Sequence, residues 1–295
     1  MSSPARLGKD DRIVLGRSEI ADAMRGTALA GLPVHEWVEG TLIVSGVDAD
    51  DNADLLKAWR AAYALLPRTG RWPVLVADED VNYELEPSPF DARVEAELVA
   101  LDQAARTVDP WPFFQEGDDG PPEVELSFYT GGLHGVDVTA DVLPTVSQNA
   151  GTQQILRAAY DHVLADPRLT AKVLEGARHL VNTEYWYQPN AASLLLAPTP
   201  SPWLAVAPLG FYGALGHDAE LAAVLRQWHE RWDVRPVAFW GTMMQFEVHR
   251  KPLPGDDAWT AARQVLALSP NIDVLQWELA VAVAAGDTWF VHHRP

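Results

Sequence analysis

The chain has 295 residues, with 22 Lys and Arg against 41 Asp and Glu, a net charge of −19 and no cysteine. The missing thiols exclude disulfides, Cys-ligated zinc, iron–sulfur clusters and thiol catalysis. The surplus of carboxylates repels phosphate backbones, and no run of Lys or Arg reaches three, so no nucleic-acid partner is expected. A hydrophobic content of 48% with 12 tryptophans calls for a large core, in one domain or two. The first residues, MSSPARLGKDDR, are polar and lack the apolar stretch of a secretory leader. The most apolar segment, 275–285, carries Gln276 and Glu278 and falls short of the ~20 residues of a membrane span. A soluble, cytoplasmic protein that does not engage membranes is expected.

In chain order, residues 1–30 read as an arm with a short helix near 18–24. TLIVS (41–45) is short, β-branched and flanked by glycines, which predicts a buried strand. Asp51 or Asn52 then caps a helix to Leu66, whose Leu55, Leu56, Trp59, Ala62 and Tyr63 recur at helical spacing. WPVLVA (72–77) is a second strand, so this stretch reads as a parallel βαβ unit or an edge pairing. Residues 91–108 form a helix stopped by Asp109-Pro110, and EGDDGPP (116–122) an exposed acidic turn. Residues 123–129 alternate apolar and polar, which predicts a half-buried strand. Helices follow over 152–165 and 167–180, with Pro167 in a first turn. Between 184 and 210, EYWY, SLLLA and WLAVA read as strands joined by proline turns. Asp218 opens a helix with Leu221, Val224, Leu225, Trp228 and Trp232 on one stripe, ended by Pro236. A hairpin (237–240 and 245–249), helices over 256–268 and 271–285 and a last strand at 288–291 complete the pattern. The fold class is α+β, a mixed or antiparallel sheet with packed helices. Its expected divisions are an arm (1–30), an N-terminal α/β portion (31–183), connecting strands (184–210) and a C-terminal module (211–295) of helix, hairpin, two helices and strand.

Three segments of the C-terminal portion carry a resemblance: AVLRQWHERWDVRPV (223–237), KPLPGDDAWTAA (251–262) and Ser269-Pro270-Asn271 with the closing Trp289-Phe290. Together they resemble the bacterial domain-of-unknown-function family 4253, common in actinobacteria, and residues 41–76 look like that family's lead-in. The chain departs from the family in two places. Ser269-Pro270-Asn271 stands where a Cys-Pro-Asp is usual, and Trp289-Phe290-Val291-His292-His293 where a Trp-rich, acid-ended motif is usual. The resemblance supplies no catalytic residues.

Motifs with chemistry are few. His229, Glu230 and Arg231 on the helix before Pro236, with the rigidly placed Arg235, form a polar set able to bind a carboxylate or exchange protons; a solvated helix face with i, i+4 pairs such as Arg226 to Glu230 or His229 to Asp233 is the more ordinary explanation. The nine histidines form neither HExxH nor HxH, so no metal site and no cofactor are expected. Residues 48–52 imitate a calcium loop but place Ala53 and Trp59 where Gly and Glu are required, which leaves helix capping. GGLHG (131–135) follows a strand-like run, yet the residues after it do not open a helix aimed at a phosphate. No GxSxG is present. The tryptophans serve as core filler or interface anchors. The reading that emerges is a non-catalytic binding or adaptor protein, immunity- or regulator-like, meeting a basic protein partner through an acidic, aromatic-rich surface. The alternative is a small-molecule enzyme with a polar cleft near His229, Glu230 and Arg235.

Overall fold

The computed structural model describes residues 5–7, 12–81, 85–114, 125–147 and 149–295. The acidic turn expected at 116–122 and the start of the strand expected at 123–129 lie outside them. The fold is α+β, as expected. Its strands are β1 (Ala5–Leu7), β2 (Arg12–Val14), β3 (Val34–Glu36), β4 (Leu42–Val47), β5 (Trp72–Ala77), β6 (Ala192–Ala197), β7 (Val234–Phe239), β8 (Met243–Val248) and β9 (Thr288–His292). Helices of eight residues or more are α1 (Arg17–Met24), α2 (Asn52–Ala64), α3 (Ala92–Thr107), α4 (Thr152–Ala165), α5 (Pro167–Ala177), α6 (Asp218–Trp232), α7 (Asp256–Ala267) and α8 (Gln276–Val283). Two compact units divide the chain, residues 1–110 with 187–246 and residues 111–186 with 247–295. Each is discontinuous, so the stretches 31–183 and 211–295 contribute to both.

In the first unit β6 lies at the centre, antiparallel to β4 on one side and to β5 on the other. β7 runs parallel to β5, and β3 pairs antiparallel on the outer side of β4. Both antiparallel to β6, strands β4 and β5 run parallel to each other with α2 between them in sequence, so of the two expected arrangements the parallel βαβ unit forms, with β6 inserted between its strands. The physical reason is burial. All six residues of β6 are buried, as are all six of β5, so the apolar run ASLLLA belongs in the middle of the sheet, where both faces are covered. A bulge in β4 sets Val44 opposite Leu194 but Val47 opposite Ala192, and Gly46 at φ 76° absorbs the extra residue.

Helix α2 begins where the sequence placed it, with the Asp51 carboxylate accepting the Asp54 N–H at 2.9 Å. Its Trp59 stacks on Tyr63 at 5.0 Å and donates its indole N–H to Pro73 O at 2.9 Å. Trp72 donates to Pro236 O at 3.2 Å. Strand carbonyls thus satisfy both indoles, and the rings are sealed in the core without an orphan donor. On α6 the predicted stripe is buried, and Trp228 meets Phe246 edge-on at 5.7 Å. Asp233 ends that helix in the left-handed region at φ 48°, and β7 starts at the next residue.

In the second unit α8 is buried on every residue, so the most apolar segment of the chain is a core helix. Residues 126–130 form a short helix where a strand was expected, the Thr130 hydroxyl donating back to Leu126 O at 3.2 Å. EYWY is not a strand either: Asn182 caps a single turn, Thr183–Tyr185, accepting the Glu184 N–H at 2.8 Å. In the first unit WLAVA is likewise a helix, Pro202–Val206, opened by proline at its first turn. Alternation over four or five residues does not separate a strand from one turn of helix, and local capping decides. At the end of β8, Val248 donates to Asp287 O at 2.8 Å, just ahead of β9. No helix among the described residues is long and apolar enough to cross a membrane.

Trp228 is completely buried on α6. Replacing it with alanine is expected to lower the unfolding free energy by about 3–5 kcal/mol. Urea denaturation followed by circular dichroism measures this, and a loss below about 1 kcal/mol would contradict the packing of α6 described here.

Candidate functional site

The first unit holds a cleft of about 200 Å³ whose lining includes the buried Arg71. The local sequence explains why a cation sits there. Pro67 opens the short helix Leu66–Thr69 and Gly70 closes it in the left-handed region, so the chain passes from a helix end to β5 in one residue. That residue is Arg71, 4% exposed between the Gly70 turn and the apolar strand. Its Nε donates to Leu15 O at 2.7 Å, and its Nη1 donates to Gly40 O at 2.7 Å and to Leu196 O at 3.0 Å. No carboxylate among the described residues pairs with it. Burial alone pulls the guanidinium down to about 10, so it stays charged at neutral pH. The Nη2 end donates to no described residue and is not sealed off, and Arg71 lines the cleft.

The turn at Val38–Gly40 shapes one wall. Glu39 and Gly40 both lie at positive φ, 53° and 68°, which aims Gly40 O at Arg71. The segment 87–90 is tied to this turn through Ser88. Its N–H donates to Trp37 O at 3.3 Å, its Oγ accepts the Glu39 N–H at 2.6 Å and its carbonyl accepts the Gly40 N–H at 2.8 Å. A Cβ on Gly40 would lie 2.3 Å from Phe90 Cβ, so only glycine lets Phe90 close against the turn. Trp37 and Phe90, both half-buried, supply apolar wall. The polar lining adds Arg17 at the start of α1, Thr41 and Glu36. Arg17, Glu36 and the Thr41 hydroxyl have no hydrogen-bond or ion-pair partner among the described residues.

The four residues singled out in the sequence lie elsewhere in this unit, and the cleft includes none of them. Glu230 is gripped by Arg226, whose Nη1 reaches both carboxylate oxygens at 2.7 and 2.8 Å. Arg231 lies over the Trp232 ring at 4.6 Å. Arg235 forks onto Asp233 at 3.0 and 2.7 Å and covers Tyr63 at 5.1 Å. His229 Nδ1 stands 3.2 Å from Val234 O and 3.6 Å from Asp233 Oδ1, with its ring beside Trp203. The structure thus brings His229 and Arg235 to one carboxylate, Asp233, and turns Glu230 and Arg231 to other neighbours.

In the second unit the GGLHG loop does hold an anion, but an internal one. Glu278, fully buried, accepts the His134 N–H at 2.9 Å through Oε1 and the Leu275 N–H at 3.2 Å through Oε2. Gly132 serves packing, since a Cβ there would lie 2.1 Å from Val136 O.

Sequence reading passed over Arg71, Arg17 and Glu36. The available signal was local: a cation wedged between a helix-ending glycine and a continuous apolar strand is exposed to neither, and so is buried by design of the chain path. Gly40→Ala is expected to cost about 2 kcal/mol or more, from left-handed strain and the clash with Phe90. Urea denaturation reads this, and an unchanged midpoint would show that the turn and the 87–90 segment are not locked together.

No curated protein and no solved structure gives a match to this chain. Residues 193–292 match the DUF4253 family model, described as a domain of unknown function. The match begins on β6, ahead of the C-terminal module expected from 211, and ends on β9. Of the cleft it takes in Leu196, whose carbonyl binds Arg71, while the lining residues precede it. The chain therefore carries a DUF4253 domain over residues 193–292.

Proposed function

We propose that this protein is a non-catalytic binding protein that holds an anionic group of a small ligand against Arg71. The observation that carries the reading is the Nη2 end of a buried, unneutralised guanidinium at a cleft, with a second unpaired cation, Arg17, in the same lining. A cation fixed by three carbonyls has lost its hydration, so an entering anion meets a preorganised donor. The tryptophans argue for the cleft over an aromatic surface: eight are buried and the other four half-buried. An adaptor role with a basic protein partner is the second reading, favoured by the net charge of −19. A bacterial, cytoplasmic setting belongs to either. Catalysis at His229, Glu230 and Arg235 finds less support, because Glu230 and Arg235 are each held by an internal partner.

The test is calorimetric titration at low salt with acetate, benzoate, 3-phenylpropanoate and inorganic phosphate. Saturable binding of at least one carboxylate is expected, weakened about tenfold or more by Arg17→Gln and by Arg71→Lys, which keeps charge but loses the fork. Thermal melts identify any variant that fails to fold, and Arg17→Gln, outside the core, then carries the comparison. Absence of binding by every anion overturns the reading.

A further inference from the structure

The cleft is not uniformly cationic: its lining holds one buried cation, one exposed cation and one exposed carboxylate. Arg71 is buried, at 4% exposed, whereas Arg17 at the start of α1 and Glu36 at the end of β3 are both exposed. Glu36 has no ion-pair partner among the described residues. A carboxylate left unpaired beside an anion site penalises a simple anion, because like charges are brought together. It favours a ligand that carries its own cation on the outer side of its anion. The same lining holds Thr41 and the half-buried Trp37 and Phe90.

We infer that the ligand of this cleft is a free α-amino acid with an apolar side chain. Its carboxylate meets Arg71 Nη2 and Arg17, its ammonium meets Glu36 at the mouth, and its side chain packs on Trp37 and Phe90. The inference rests on the anion-binding reading above and names the ligand class for that site. Two further observations support it. A volume of about 200 Å³ suits a ligand of single amino-acid size, below the ~300–1,000 Å³ of pockets for larger ligands. In addition, a protein of net charge −19 repels free anions at long range but does not repel a zwitterion of zero net charge.

Calorimetric titration of the full chain compares leucine and phenylalanine with their deaminated counterparts, 4-methylpentanoate and 3-phenylpropanoate. Each amino acid is expected to bind at least tenfold tighter than its deaminated acid. Glu36→Gln is expected to bring the two within about twofold by weakening the amino acid alone, whereas Arg17→Gln weakens both. Glu36 is exposed, so its variant is expected to keep the fold, and a thermal melt checks this. Deaminated acids that bind as tightly as the amino acids overturn this inference and leave the anion reading standing. An amino-acid advantage that survives Glu36→Gln overturns it as well. Failure of every amino acid and every carboxylate to bind removes both readings together.

Discussion

A cation buried without a counter-charge is the constraint on which the first unit is arranged. Removing a guanidinium from water costs several kcal/mol unless its hydrogens are replaced one by one. Here the replacement comes from three backbone carbonyls lying 56, 31 and 125 residues away in sequence. Leu15 O fixes the path between β2 and α1, Gly40 O fixes the left-handed turn after β3, and Leu196 O belongs to the central strand β6. Each of these segments is thereby held to the start of β5. The positive-φ pair Glu39 and Gly40 is local strain accepted so that one carbonyl points inward. What the carbonyls leave unused, the Nη2 end, is the chemistry the cleft has to offer.

The strong acidity of the chain looks like a statement about partners, but many of its carboxylates are engaged with the backbone. Asp51, Asp91 and Asp166 each accept N–H groups at helix starts, and Asp137 accepts the Thr139 N–H. Hydrogen bonding holds Asp91 below the usual carboxylate range, chiefly from the Val94 N–H, and Asp137 likewise, chiefly from the Thr139 hydroxyl. Glu278 goes further: it ties its own helix start to the GGLHG loop from a fully buried position. Asp233 serves three purposes at once, ending α6, forking Arg235 and standing beside His229. A charge count therefore overstates how much negative surface is free to meet a partner.

The parts of the fold that were legible share one property: they are long or strongly periodic, or they carry their own stop signals. The starts of α2, α3 and α5 follow from Asp51, Asp91 and Asp166, the buried face of α6 follows from its tryptophan stripe, and β5 is the apolar run WPVLVA itself; the end of α6 falls at Asp233, ahead of the expected Pro236, which lies in β7. The misread pieces are short. Residues 126–130, EYWY and WLAVA contain too few positions for a period of two to be told from one helical turn; the Asn182 cap marks the turn in EYWY and Pro202 opens the helix in WLAVA. The placement of β6 between β4 and β5 was illegible for a different reason: strand order depends on which apolar run can be covered on both faces, a property of the assembled layer.

The candidate site divides the same way. Sequence alone determined that thiol and iron–sulfur chemistry are absent and that His229, Glu230, Arg231 and Arg235 share one short stretch, because these follow from residue types and spacing. It also determined the α+β class, which local periodicity carries. Only the tertiary structure decided that those four residues are largely occupied with neighbours, and that Arg71, Arg17 and Glu36, from distant segments, line one cleft. The physical reason is that a charged side chain's role is set by what remains of its hydrogen-bonding capacity after folding. For Arg71 that remainder is fixed by carbonyls at positions 15, 40 and 196, which no local pattern connects.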